Sequence, residues 1–252
     1  MVAVLTIDIG NTSLAWGVWE ESCLTSRGSF PHAHWVDGGD SQQFPEEWAN
    51  VERVGVASVE LQVSDRLLEA WPATLPPIAF FSSYRDVPIV LAESITDPAG
   101  VGVDRLLNVL AWGATHPGDA AVIVDFGTAI TIDLADREGR FSGGLILPGA
   151  HMMARALGAG TFLLPEVTVE PSTTVIGTDT RSAIERGVGG LLTGGIEQQV
   201  LSLLTAFDAD ARVVATGGGA ATWTPGIPSI DRIIPDLTLA GVRTALALRG
   251  AS

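Results

Sequence analysis

The sequence predicts an α/β protein of two related domains whose hairpins face a common cleft, and three observations predict it. Short β-rich runs alternate with stretches of helical periodicity along the chain. The segment Asp8-Ile-Gly10 recurs as Asp125-Phe-Gly127, each copy lying between two strand-like runs. The copies stand 117 residues apart, too far for a solenoid repeat, so the repetition reads as two domains. A chain of 252 residues, 46% hydrophobic and 17% charged, can bury the cores that such domains need. The boundary is placed near Pro117, giving domains 1–117 and 118–252.

In order, residues 2–7 are a β-rich run ending in Asp8-Ile-Gly-Asn-Thr12, and 14–19 resume the pattern, which makes a hairpin with a polar tip. Residues 24–30 continue the meander. A helix is expected over 41–50, a strand over 51–56 and a helix over 59–71, where Leu61, Leu67, Leu68 and Trp71 recur until Pro72, Pro76 and Pro77 break the chain. Val103, Leu106, Leu107, Leu110 and Ala111 form an i, i+3, i+4, i+7, i+8 stripe, the mark of an amphipathic helix, with Asp104 and Asn108 together off the stripe. After His116-Pro-Gly-Asp119, strands over 120–124 and 130–134 flank Asp125-Phe-Gly-Thr-Ala129. A strand over 139–147 and a helix over 150–157 follow. A helical region over 178–207 is interrupted by Gly187, Gly189, Gly190, Gly194 and Gly195. The chain closes with a strand over 212–215, the cluster Gly217 to Gly219, and a helix carrying Leu237, Leu239, Val242, Leu246 and Leu248.

All 14 basic side chains are arginine, against 29 acidic ones. With no lysine, every mechanism that needs an ε-amino group is excluded: the phosphate-loop lysine, the protein-kinase strand lysine, Schiff bases and Ser-Lys hydrolases. A formal charge of −15 argues against nucleic acid or anionic membrane as partners, since both are captured by clustered positive charge. No apolar run reaches the roughly 18 to 20 residues of a membrane helix. The first positive side chain is Arg27, so no secretory signal is expected and the protein is placed in the cytoplasm. The lone cysteine, Cys23, suits a reducing compartment and reads as a small buried apolar residue.

A single Asp-x-Gly-Asn-Thr is what any tight turn demands. Two copies at equivalent strand ends carry more. Glycine lets the backbone approach a phosphate closely, hydroxyl and amide side chains donate to its oxygens, and a carboxylate holds a hard cation. Thr216-Gly-Gly-Gly219 offers one more close-approach surface, suited to a nucleoside, or simply a strand-to-helix turn.

Seven motifs stand in order over nearly the whole chain: Asp8-Ile-Gly-Asn-Thr12, Gly102-Val-Asp-Arg105 with Asn108, Asp125-Phe-Gly-Thr-Ala129, Gly143-Gly-Leu-Ile-Leu-Pro-Gly149, Ile176-Gly-Thr-Asp-Thr180, Thr216-Gly-Gly218 and Asp236-Leu-Thr-Leu239. This ordered set resembles type III pantothenate kinase. The resemblance implies the fold of the acetate and sugar kinase, Hsp70 and actin superfamily, two ribonuclease-H-like domains with ATP between them. It further implies phosphorylation of pantothenate to 4′-phosphopantothenate, the first step of coenzyme A synthesis, by a homodimer that uses Mg²⁺ with ATP and a monovalent cation, K⁺ or NH₄⁺.

Carried over by position, the resemblance assigns ATP to Asp8, Ile9, Gly10, Asn11, Thr12, Ser13, Leu14 and Ala15, with Thr128 as a second phosphate contact. Asp8 is directed at Mg²⁺, directly or through water, and Asp125 at the monovalent cation. Gly102, Val103, Asp104, Arg105 and Thr180 line the pantothenate site, with Asp104 as general base. Arg105 is matched to the substrate carboxylate, a structural salt bridge being its ordinary alternative. Two positions depart from the family pattern. Ile95 stands where a tyrosine usually contacts substrate, and Ala15 where a lysine often ends the first loop.

Two other readings stay in play: a nucleotide-binding regulatory protein without catalysis, which Ile95 alone supports, and a kinase of the same superfamily for another small alcohol. His32 and His34 without a third ligand read as exposed polar residues, and His151 as a surface residue. The seven tryptophans are assigned to the core or a subunit interface.

Overall fold

In the computed structural model, which describes residues 2–32 and 44–250, the chain forms two compact units. The first holds Met1–Pro117, Gly139–Phe141 and Leu237–Ser252, the second Gly118–Glu138 and Ser142–Asp236. The chain therefore changes unit after Pro117, around 139–141 and at 237. His34, Trp35 and the first part of the helix expected over 41–50 lie outside the described residues. Within the described part of that helix there is only a 3-10 turn, Glu46–Trp48.

The elements are β1 (Ala3–Ile9), β2 (Ser13–Glu20), β3 (Cys23–Pro31), β4 (Arg53–Ser58), α1 (Leu61–Ala70), β5 (Ile78–Phe81), α2 (Val103–Thr115), β6 (Ala121–Phe126), β7 (Ala129–Ala135), β8 (Phe141–Pro148), α3 (Ala150–Gly160), α4 (Thr180–Ala206), β9 (Arg212–Thr216), α5 (Ala220–Trp223), β10 (Arg232–Ile233) and α6 (Leu237–Arg249). One sheet has the order β3-β2-β1-β4-β5, the other β8-β7-β6-β9-β10. In the first, β1 is antiparallel to β2 and parallel to β4; in the second, β6 is antiparallel to β7 and parallel to β9. The likeness noticed at Asp8 and Asp125 thus extends to whole sheets. In register, Asp8 stands between Ala15 and Ala57, and Asp125 between Thr131 and Thr216.

In the first unit, Leu5, Ile7, Ile9, Leu14, Trp16 and Val56 form one apolar face of the sheet, closed by Val63 and Leu67 of α1. The opposite face is made to receive α6. A Cβ on Gly55 would come within 2.8 Å of Val242 Cγ1, and one on Gly241 would run into the Leu107 carbonyl. Small residues at these positions let α6 lie flat on the sheet and tight against α2. That packing corrects one expectation: Asn108, read as lying off the buried stripe, is 0% exposed. A second helix covers its side of α2, and Thr238 donates its hydroxyl to Asn108 Oδ1 at 2.9 Å.

Cys23 is also corrected, since it is exposed. It opens β3, an edge strand whose residues alternate between exposed and half-buried, so its side chain faces solvent rather than the core. Trp16, Trp19, Trp48, Trp112 and Trp223 are buried, in keeping with a core role.

In the second unit, Val122, Val124, Ile130, Ile132 and Val213 pack against Ile184, Val188, Leu192, Ile196 and Val200 of α4. The expected interruption of this helix does not occur, for α4 runs 27 residues unbroken. Each interior glycine costs about 1 kcal/mol of helix propensity. The buried row repeats every fourth residue along the helix, and burying a Val, Leu or Ile side chain returns about 1.5–3 kcal/mol. Asp179 starts the helix with a capping box, accepting from Ser182 N at 3.0 Å.

Candidate active site

The first loop is a tight turn. Gly10 N donates to the Ser13 carbonyl at 3.1 Å, and His32 N donates to the Thr12 carbonyl at 3.1 Å. Asn11, Thr12 and Ser13 are exposed, with Asp8 and Ala15 half-buried beneath them. Ile9 and Leu14 are 0% exposed, so their side chains belong to the core and they reach a ligand only through their backbone.

In the second unit, three motifs distant in sequence meet. Asp125 is half-buried near the end of β6, and Gly127 and Thr128 are exposed just beyond it. Gly149 N donates to the Thr128 carbonyl at 3.2 Å, and a Cβ on Gly149 would collide with that carbonyl. From the other side, Gly217 adopts φ +85°, and a Cβ there would collide with Asp125 Oδ1. Gly219 N donates to the Phe126 carbonyl at 3.0 Å. Three segments of backbone thus pack together at the end of β6, Gly217 lying against the Asp125 carboxylate, with Thr216 and Thr131 beside Asp125 in register.

A polar pair on β7 escaped the sequence reading. Thr131 donates its hydroxyl to Asp133 Oδ2 at 2.9 Å, and Asp133 is 0% exposed. The available signal was an aspartate inside the apolar run Ile130-Thr-Ile-Asp-Leu134. Among the described residues no three His, Cys, Asp or Glu side chains group to hold a metal. A cation here would share one carboxylate with hydroxyl, carbonyl and ligand oxygens.

The remaining predicted residues open α2. Gly102 is its N-cap, and a Cβ there would come within 2.5 Å of Asp104 Oδ1. Glycine is what lets this carboxylate fold back over the helix start. Burial pushes the Asp104 carboxyl above the ordinary aspartate value, only partly countered by backbone N–H groups and the Arg105 charge. Val103 is 2% exposed and packs in the core, so only its backbone is available to a ligand. Arg105 is half-buried, with its guanidinium over the Phe141 ring, 5.3 Å from the centroid. Ile95 is half-buried in the preceding segment, where its N–H donates to the Ala92 carbonyl at 3.0 Å.

Thr180 belongs to the second unit. It is exposed at the first position of α4 and lines an apolar cavity of about 730 Å³ with Met153, Leu157, Leu164, Ile184 and Leu191. His151 is exposed and 3.9 Å from Glu166, a surface residue as expected.

A sequence profile described as type III pantothenate kinase matches residues 4–202. A type III pantothenate kinase of Dehalococcoides mccartyi strain 195 is 32% identical over 95% of this chain and 95% of its own. Among solved structures, a Baf family protein of Campylobacter jejuni superposes with a TM-score of 0.60 at 19% identity, covering 98% of this chain and all of its own. The activator of the 2-hydroxyisocaproyl-CoA dehydratase of Clostridium difficile, with bound ADPNP, superposes at 0.52 and 14% identity, covering 99% and 96%. At those identities the likeness is one of fold alone, the two-domain actin-like ATPase fold. With a profile over most of its length and a relative at 32% identity end to end, the chain belongs to the type III pantothenate kinase family and is thereby a kinase.

Proposed function

We propose that the chain transfers the γ-phosphoryl group of ATP to the terminal hydroxyl of pantothenate, giving 4′-phosphopantothenate, the first step of coenzyme A biosynthesis. The observation that carries this reading is the pair of carboxylate-bearing hairpins, Asp8 and Asp125, at equivalent positions of two sheets of the same topology. A kinase of this fold uses ATP with a divalent metal ion. The loop from Asp8 to Ala15 holds the phosphates through backbone N–H groups and the Asn11, Thr12 and Ser13 side chains, and Thr128 makes a second phosphate contact.

Mg²⁺ would be held at Asp8, directly or through water, and K⁺ or NH₄⁺ at Asp125. The fit at Asp125 is supported by the Gly217 position, where a side chain would fill the space against the carboxylate. Both cations supply positive charge that offsets the phosphate oxygens, in a chain of net charge −15 that has no lysine.

On the acceptor side, Gly102, Val103, Asp104 and Arg105 form the pantothenate site. Arg105 pairs with the carboxylate, and Asp104 orients the hydroxyl and accepts its proton. Phosphoryl transfer has a loose transition state, so positioning outweighs base strength, and the upward pull of burial on Asp104 makes it a better base.

The assembly is a homodimer formed on the α3 and α4 face. Gly187, Gly190 and Gly194 open onto empty space along α4, Leu191, which lines the apolar cavity, is 67% exposed, and Phe162, just after α3, is 102% exposed. Such a face suits close helix packing by a second copy. Because Leu191 is exposed in the single chain, Leu191→Asp should leave the fold intact and halve the mass seen by sedimentation; an unchanged dimer would remove this face as the interface. The charge argues for neither nucleic acid nor membrane as partner, in keeping with a cytoplasmic enzyme, and no helix among the described residues is long and apolar enough to cross a membrane.

The test is direct. Purified protein with ATP, Mg²⁺, K⁺ and pantothenate should form 4′-phosphopantothenate, identified by mass. No product across pH and cation choices overturns the reading. Nucleotide binding without turnover in calorimetry would point to a regulatory protein, and preferential turnover of another alcohol to a different acceptor.

A further inference from the structure

Thr131 and Asp133 are the polar residues of β7, set in the apolar run Ile130 to Leu134, and the proposed reaction gives neither of them a task. They stand two apart, so their side chains leave the same face of the strand. Across the antiparallel pair of β6 and β7, the register partner of Thr131 is Asp125. Directly opposed residues of such a pair share a face, with Cβ atoms about 4.5–5.5 Å apart. Thr131 is half-buried, as Asp125 is, while Asp133 is 0% exposed. A hydroxyl has one proton to donate. Thr131 gives it to Asp133 Oδ2 at 2.9 Å, although a second carboxylate, Asp125, stands opposite in register.

We propose that Thr131 is an oxygen ligand of the monovalent cation at Asp125, and that Asp133 is the positioning residue that turns its hydroxyl to that task. The inference rests on the reading of Asp125 given above. With its proton held by Asp133, the Thr131 oxygen can only accept. It can coordinate K⁺ or take a hydrogen bond from NH₄⁺, but it has nothing to donate to a phosphate oxygen. That separates it from Thr128, the proposed phosphate contact. The same bond keeps Thr131 from donating to Asp125, which would offset part of the negative charge that attracts the cation. A hard cation takes several oxygen ligands, and one aspartate supplies at most two. A neutral oxygen beside the carboxylate adds a ligand without adding negative charge that would repel the phosphates of ATP.

The test uses the full chain and two readouts, melting temperature and steady-state rate, each titrated with KCl against choline chloride at equal ionic strength. In the parent, K⁺ should raise the melting temperature where choline does not. Thr131→Val removes the oxygen at nearly constant shape and should need at least about tenfold more K⁺ for half of either response, the scale on which supporting groups of a metal site act. Thr131→Ser keeps the hydroxyl and should titrate as the parent does. Asp133→Val frees the hydroxyl to turn; it should weaken the K⁺ response of the parent but take nothing further from Thr131→Val. Should Asp133→Val fail to fold, Asp133→Cys, a small side chain at ease in a core, replaces it. Thr131→Val with the parent's K⁺ titration, or Thr131→Ser impaired as badly as Thr131→Val, would overturn the ligand role. Additive losses in the double variant would overturn the positioning role of Asp133. A parent indifferent to K⁺ would overturn the reading of Asp125 itself, and the inference with it.

Discussion

Asp104→Asn should lose at least about a hundredfold in kcat while melting no lower than the parent protein. The amide has the shape of the carboxyl, so it fits the space that Gly102 leaves open at the start of α2. It cannot take a proton, and a positioned base is worth about 10²- to 10⁴-fold. The stability half follows from the direction of the pKa shift. Burial raises the folded-state value above the unfolded one, so between the two the folded chain binds more protons and stability falls as pH rises. Above that window the ionised carboxylate is a net cost, which asparagine removes. For the same reason the acid limb of the parent's kcat profile should lie above the ordinary aspartate range. Steady-state kinetics and calorimetry at neutral pH check both halves. Unchanged turnover would take Asp104 out of the base role, and a melting point lower by several degrees would make it a structural residue.

Asp125→Asn should abolish the response to monovalent cations. The parent's rate should rise with K⁺ or NH₄⁺, whereas the variant should be flat and slower by about two orders of magnitude, the scale expected when one electrostatic partner of a developing charge is removed. Gly217→Ala should act in the same direction with the carboxylate still present. Its backbone stands at φ +85°, where a Cβ is strained, and that Cβ would collide with Asp125 Oδ1. A readout independent of turnover is thermal stability: K⁺ should raise the parent's melting point by binding the folded state and leave both variants unmoved. A full cation response in Asp125→Asn would place the cation elsewhere.

Much of the fold was legible because strands and helices are written in local periodicity. The α2 stripe, the paired hairpins and the closing helix follow from the spacing of apolar residues over windows of about ten. The short strands β5 and β10 escaped because two to four residues carry no period. The glycines of α4 misled for a different reason: propensity is a weak local term, and the buried row from Ile184 to Val200 outweighs it. Asn108 misled because a stripe names one buried face and cannot tell that a second helix, α6, covers another.

The candidate site divides in the same way. The sequence by itself determined which chemistry was available: no lysine, two Asp-x-Gly turns, a Gly-x-Asp-Arg segment, and an ordered motif set that marks the family. Those are properties of residue type and order. Only the tertiary structure decided that residues 125–128, 149 and 217–219 share one contact cluster, that Asp104 is buried enough for its carboxyl to be raised, and that Phe141 lies under Arg105. Each of these depends on contacts between segments tens of residues apart, or on the neighbours that strip water from a carboxylate, and neither leaves a periodic trace in the chain.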